Sequence, residues 1–126
     1  MKRIHIEEVG YTPGVILDAK KNIFEMTGKA CPEDAIGFYE PIINWIDDYA
    51  INPNEKTVFE FKLSYYNTAS SKAILKVMQQ LERLKNKGYD VVIKWYYYED
   101  DEELLIAGED YSEIIEIPFE LIELDN

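Results

Sequence analysis

Apolar and polar positions change period several times along this chain, and each change marks an element. Ile4, Ile6 and Val9 nearly alternate with polar residues, which predicts a short strand closed by the turn residues Thr12-Pro13-Gly14. Val15 to Asp18 and Ile23 to Thr27 are two further short apolar runs joined by Ala19-Lys20-Lys21-Asn22, a connection of hairpin length. The first third of the chain therefore reads as a small antiparallel meander.

The period then becomes helical. Pro32-Glu33-Asp34 puts a proline where a missing N–H costs nothing and acids where the helix dipole favours them, so a helix should begin there. Ile36, Tyr39, Ile43, Ile46 and Tyr49 or Ala50 recur every three or four residues and predict its buried face. Pro41 should kink this helix, which ends near Asn52-Pro53-Asn54.

Thr57 to Tyr65 alternates strictly, with Phe59, Phe61, Leu63 and Tyr65 on one face and Glu60, Lys62 and Ser64 on the other. This is a strand buried on one side. Asn67 to Lys87 follows as a long helix with Ile74, Met78, Leu81 and Leu84 or Lys85 on its stripe and Gly88 beyond its end. Asp90 to Tyr98 reads as a strand and residues 102 to 115 as a third helix carrying Leu104, Leu105, Gly108, Tyr111, Ile114 and Ile115. Ile117 to Leu124 alternates like a strand that Pro118 confines to an edge or to an extended cover.

Helices between successive strands demand parallel pairs beside the antiparallel meander. One-sided strands place the helices mainly on one face. The expected fold is therefore α/β, a two-layer mixed sheet forming one domain over residues 1–126. Such a layout serves regulatory modules as well as enzymes, so function must come from particular residues.

Charge narrows the choices. Thirteen basic against 25 acidic residues give a net charge of −12, which excludes a general nucleic-acid binder. Residues 1–98 are balanced at 13 acids and 13 bases, whereas residues 99–126 hold 12 acids and no base. The leucines, isoleucines and Phe119 interspersed there predict a folded acidic flank rather than a disordered tail. No apolar run approaches a membrane span, no export signal opens the chain, and Cys31 is the sole cysteine, so the cytoplasm is the expected compartment and no membrane is expected as a partner.

Little in the sequence resembles catalytic or cofactor machinery. His5, the only histidine, has no nucleophile in a recognisable motif with it. Cys31 precedes a helix start that could polarise its thiol, although a plain small residue near a helix cap is the favoured reading. Glu99-Asp100-Asp101-Glu102-Glu103 could attract calcium or magnesium, or simply favour the start of the third helix; it lacks the alternating acids and glycine of an EF-hand. Trp95-Tyr96-Tyr97-Tyr98 must put aromatics on both faces of its strand, as an interface or as cross-strand packing.

The most informative segment is Tyr65-Tyr66-Asn67-Thr68-Ala69-Ser70-Ser71-Lys72, at the junction of strand and helix. Asn67, Thr68 and Ser70 can each cap the helix, which accounts for one or two of them. A hydroxyl at this junction can also carry a phosphate, because free N–H groups and the helix dipole stabilise the added charge.

That segment, with Phe38-Tyr39, Pro41 and Trp45, the Trp95–Tyr98 aromatics with their following acids, and Gly108-Glu109-Asp110, resembles the SiaC family of bacterial regulatory phosphoproteins over nearly the full length. The resemblance implies a STAS-like fold, similar to the anti-sigma-factor antagonists, and a switch threonine phosphorylated by a dedicated serine/threonine kinase and cleared by a PP2C-type phosphatase. Thr68 occupies that position, and Asn67, Thr68, Ala69, Ser70, Ser71 and Lys72 form the expected partner-binding surface. The resemblance further implies that the unphosphorylated protein binds and activates a diguanylate cyclase, raising cyclic di-GMP and promoting biofilm growth or aggregation. Asn67-Thr68-Ala69-Ser70 departs from the Asp-Ser-Ser-Gly turn of many anti-sigma-factor antagonists. No catalytic residue, metal or cofactor is expected.

Overall fold

The computed structural model describes residues 2–125. Six strands and three helices follow the order β1 (Ile4–Ile6), β2 (Gly14–Asp18), β3 (Ile23–Ala30), α1 (Ala35–Tyr49), β4 (Lys56–Tyr66), α2 (Thr68–Asn86), β5 (Asp90–Tyr98), α3 (Glu102–Ile114) and β6 (Phe119–Leu124). The strands lie side by side in chain order, with β1, β2 and β3 antiparallel and β3, β4, β5 and β6 parallel. Three successive right-handed crossovers stepping the same way across a sheet put every helix on the same face. The result is a two-layer mixed α/β fold.

Register assembles the core. Leu17, Phe24, Phe59 and Ile93 form one cross-strand row, and Val15, Met26, Phe61, Trp95 and Leu121 form another. Against these rows α1 packs Trp45 and Tyr49, both in aromatic contact with Phe24. From α3, Tyr111 packs on Trp95, whose indole Nε1 donates to the Leu104 carbonyl at 2.9 Å. Gly108 permits this close approach: a Cβ there would stand 2.5 Å from Trp95 Cδ1. The opposite sheet face is polar, because Lys62 pairs with Glu25 at 3.5 Å and Glu60 at 4.0 Å, and the Tyr96 hydroxyl donates to Glu60. No helix covers it.

Several sequence expectations shift by a few residues. The first strand stops at Ile6, and Val9 makes only an isolated bridge with Thr12. The first helix begins after Asp34, whose Oδ1 accepts the Gly37 amide, and it runs on through Pro41. Both Pro41 and Gly37, whose carbonyl the missing N–H would have met, are exposed, so water can take the vacated bond. The buried face is Tyr39, Ile42, Trp45, Ile46 and Tyr49, whereas Ile36 is 80% exposed. In α2 the stripe closes on Leu84, leaving Lys85 at its edge, and it also includes Ser70, Val77 and Gln80. In α3, Ile114 is exposed while Ile115 just beyond is buried. The acidic flank is folded, and Pro118 adjoins the edge strand β6 with its carbonyl accepting the Ile93 amide at 3.0 Å.

Candidate functional site

Because β3, β4 and β5 are parallel, their C-terminal ends deliver the starts of α1, α2 and α3 to the same end of the sheet. The hydroxyl-rich segment lies at the middle of that end. Asn67 has extended backbone angles (φ −95°, ψ 176°), and its Oδ1 accepts the Ser70 amide at 2.9 Å, the geometry of an N-cap. Its own amide donates to the Ala30 carbonyl at 3.3 Å, which ties the turn to the end of β3.

The next four residues face different ways. Thr68 is the first helical residue and is exposed. Ala69 is exposed as well, and the amides of these two precede any intrahelical acceptor. Ser70 is fully buried, and its Oγ accepts a 2.8 Å hydrogen bond from the Tyr39 hydroxyl of α1. It therefore contributes no surface to a partner, because one hundred degrees of helix rotation per residue carries it from the Ala69 side into the core. Ser71 is half-buried; its Oγ donates to the Thr68 carbonyl at 2.8 Å, and its carbonyl accepts from the Tyr111 hydroxyl of α3 at 3.0 Å. Lys72 is exposed one turn after Thr68.

Two grooves flank this helix start. The larger, about 640 Å³, runs between α1 and α2 past Ile36, Ile43, Ala69, Lys72, Ala73 and Lys76. The smaller, about 350 Å³, lies between α2 and α3 and includes Tyr66, Ser71, Asp110 and Tyr111. On the helix wheel Thr68 falls between Ser71 and Lys72, on the ridge separating the two.

The tyrosines that hold the helix start are poor acids. Burial raises the Tyr39 hydroxyl above its ordinary value despite the Ser70 bond, and burial also raises Tyr111. Tyr66 is raised by burial and by the nearby carboxylates of Asp110 and Asp101. On the open sheet face, the hydrogen bond to Glu60 pushes Tyr96 up to about 12. Each retains its proton in the fold longer than an unfolded tyrosine, whose pKa is about 10. The tyrosines' contribution to stability should therefore be level below pH 10 and fall above it, as the unfolded chain releases protons the fold still holds. Urea midpoints measured from pH 8 to 11.5 check this, and Tyr39→Phe and Tyr111→Phe should each flatten the alkaline decline.

Over residues 6–124 the chain matches the family model described as SiaC family regulatory phosphoprotein. It belongs to the SiaC family. An uncharacterized protein of Pseudomonas aeruginosa (strain UCBPP-PA14) is 25% identical over 121 residues, 96% of each protein. The solved structure of SiaC of Pseudomonas aeruginosa matches with a TM-score of 0.89 at 25% identity, covering 98% of this chain and 100% of that one. The crystal structure of the diguanylate cyclase SiaD in complex with its activator SiaC, from the same species, contains a chain of the same fold, with a TM-score of 0.91 at 24% identity over 96% of this chain and 99% of that one.

Among the described residues no three His, Cys, Asp or Glu side chains converge as a metal would require. In the acidic run, Asp101 caps α3 by accepting the Leu104 amide at 3.0 Å, and Glu102 and Glu103 fill its first turn. Cys31 lies outside the α1 cap, with its amide bonded to the Tyr11 carbonyl. His5 lies 3.3 Å from Glu7 on an exposed edge. No helix among the described residues is long and apolar enough to cross a membrane. Trp95 belongs to the core, in aromatic contact with Phe61 and Tyr66, while Tyr98 is exposed.

Sequence reasoning placed Tyr39 in the core but missed its hydroxyl's partner, and it missed the part played by Tyr111. The available signal was a tyrosine within each apolar helical stripe, since a buried phenol needs a hydrogen-bond partner. Tyr39→Phe should destabilise the fold by about 1–2 kcal/mol by leaving the buried Ser70 hydroxyl without its donor. Adding Ser70→Ala should recover much of that loss, which a double-mutant cycle in urea measures.

Proposed function

We propose that this protein is a non-enzymatic phosphoswitch whose switch residue is Thr68. The observation that carries the reading is the contrast among neighbouring hydroxyls: Thr68 is exposed on a capped helix start, Ser70 is buried against Tyr39, and Ser71 is half-buried and bonded back to the Thr68 carbonyl. A kinase can draw an exposed first-turn threonine into its active site without opening the core. The resulting phosphate gains from the two free amides and the helix dipole.

In this reading a serine/threonine kinase writes the phosphate and a PP2C-type phosphatase removes it, both in the cytoplasm. The unphosphorylated form binds and activates a diguanylate cyclase, using the exposed parts of Asn67–Lys72, and so promotes biofilm growth or aggregation. Support for the cyclase comes from the family match and from the activator role of SiaC in its complex with SiaD. Incubation with ATP and the cognate kinase, followed by intact mass and peptide mapping, tests the switch. One added phosphate on Thr68 is expected. Phosphate chiefly on Ser70 or Ser71 would overturn the residue assignment, and no phosphate at all would overturn the switch.

A further inference from the structure

Cβ atoms on a helix tilt toward its N-terminus, so a long side chain lies over the turn that precedes it. On α2 this carries the stem of the exposed Lys72 back over the turn that opens at Thr68. The two residues stand at i and i+4, with Cβ atoms about 5–6 Å apart in helical geometry. An anion at the first position and a cation at the second is also the favoured order of such a pair, because it runs with the helix dipole.

Lys72 is the base at this end without another engagement. Among the described residues it forms no ion pair, whereas Lys29, at the end of β3, lies 5.1 Å above the Tyr11 ring and Lys62 is shared between Glu25 and Glu60. Lys76 stands two turns from Thr68, about 12 Å along the axis. Apart from these two lysines, the charged residues lining the flanking grooves are carboxylates, Glu40 on α1 and Glu103 and Asp110 on α3. The nearby phenols are already engaged, Tyr39 with the Ser70 hydroxyl and Tyr111 with the Ser71 carbonyl.

We propose that Lys72 is a positioning residue for the phosphate on Thr68: its ammonium pairs with the phosphoryl oxygens and holds them on the α1 side of the ridge, away from Glu103 and Asp110. The inference rests on the proposed switch at Thr68 and adds the residue that orients its phosphate. The free amides of Thr68 and Ala69 supply donors beneath the phosphate, and Lys72 supplies one beside it. One ammonium against about −1.5 to −2 charges leaves the group anionic. Lys72 therefore fixes where the charge stands without cancelling it.

Phosphothreonine installed at position 68 during translation removes any dependence on a kinase. Phosphorus-31 NMR of the full chain from pH 4.5 to 8 then follows the second ionisation of the phosphate, whose pKa is ordinarily about 6. A neighbouring ammonium favours the dianion, so Lys72→Gln should raise that pKa by about 0.3, the equivalent of a well-formed i, i+4 pair. Lys72→Arg keeps the charge and should restore the wild-type titration. Lys76→Gln should give a smaller rise.

Coincident titrations of the wild type and Lys72→Gln overturn the proposal. An equal rise from Lys76→Gln also overturns it, since that would report the general field of the surface rather than a pair. So does a rise that Lys72→Arg fails to reverse, which would make the effect one of helix structure. A kinase that modifies Ser71 instead of Thr68 would overturn the switch assignment and leave this titration unchanged.

Discussion

Phosphate on Thr68 is expected to weaken binding to the diguanylate cyclase about 100-fold or more while leaving the fold intact. It adds about −1.5 to −2 charges at pH 7, and at an exposed helix N-terminus such charge is locally favourable by about 0.3–1 kcal/mol. Thr68 is exposed, so the added oxygens displace water rather than core. A partner packed over the same helix start must instead bury the charge unpaired, at a cost of several kcal/mol. Each 1.4 kcal/mol is about tenfold in affinity, so even a modest part of that cost accounts for the expected loss. Thr68→Ala should bind the cyclase and escape the kinase. Thr68→Asp should weaken binding only partly, because one carboxylate carries less charge and fewer oxygens than a phosphate. Titration calorimetry with the cyclase from the same organism, beside melting curves for every form, decides the matter. Equal affinities for phosphorylated and unphosphorylated protein would sink exclusion at this surface. A phosphorylated form that melted at room temperature would replace exclusion with unfolding.

The same helix start illustrates what a sequence pattern can and cannot carry. A helix opening within Asn67–Ser70 and its stripe through Ile74, Met78 and Leu81 were legible, because capping and helical period are local properties, whereas the choice of Asn67 among three possible caps and of Leu84 over Lys85 came from the structure. The alternation from Thr57 to Leu63 was legible for a related reason, since one face meets the core and the other holds Glu60 and Lys62, but it fails at Tyr65, which was expected on the buried face and is 56% exposed beyond a register shift between β3 and β4. Ile36 was misread because periodicity reports which residues share a face, not whether another element covers that face. Coverage depends on the size of Ala69 and Ala73, more than 30 positions along the chain. Ser70 was misread for the converse reason, since its polarity suggests surface while Tyr39 supplies it with a buried partner. The site was therefore legible as a segment, and its division into exposed, tied and buried hydroxyls belongs to the tertiary packing.

Removal of residues 99–126 should abolish cooperative folding, although two effects oppose each other. The segment carries 12 acids and no base, so its loss brings the net charge from −12 to 13 minus 13, or zero, and relieves self-repulsion. Against that stands the packing. Trp95 is fully buried under Leu104, Gly108 and Tyr111 and beside Leu121, and the buried Ile115 and Ile117 leave with them. Truncating a single buried tryptophan costs about 3–5 kcal/mol. Uncovering one whole, while β5 loses its parallel neighbour and becomes an open edge, uses up most of the roughly 5–15 kcal/mol that holds a domain of ordinary stability together. Packing should therefore outweigh repulsion. Circular dichroism of residues 1–98 should show no cooperative melt at 25 °C, and Leu104→Ala in the full chain should reproduce a smaller share, about 2–5 kcal/mol. Salt distinguishes the two effects: if repulsion governed, 0.5 M sodium chloride would stabilise the full chain strongly and the truncated form would melt higher. A truncated chain that kept its melting temperature and amide protection would reduce α3 and β6 to an appendage.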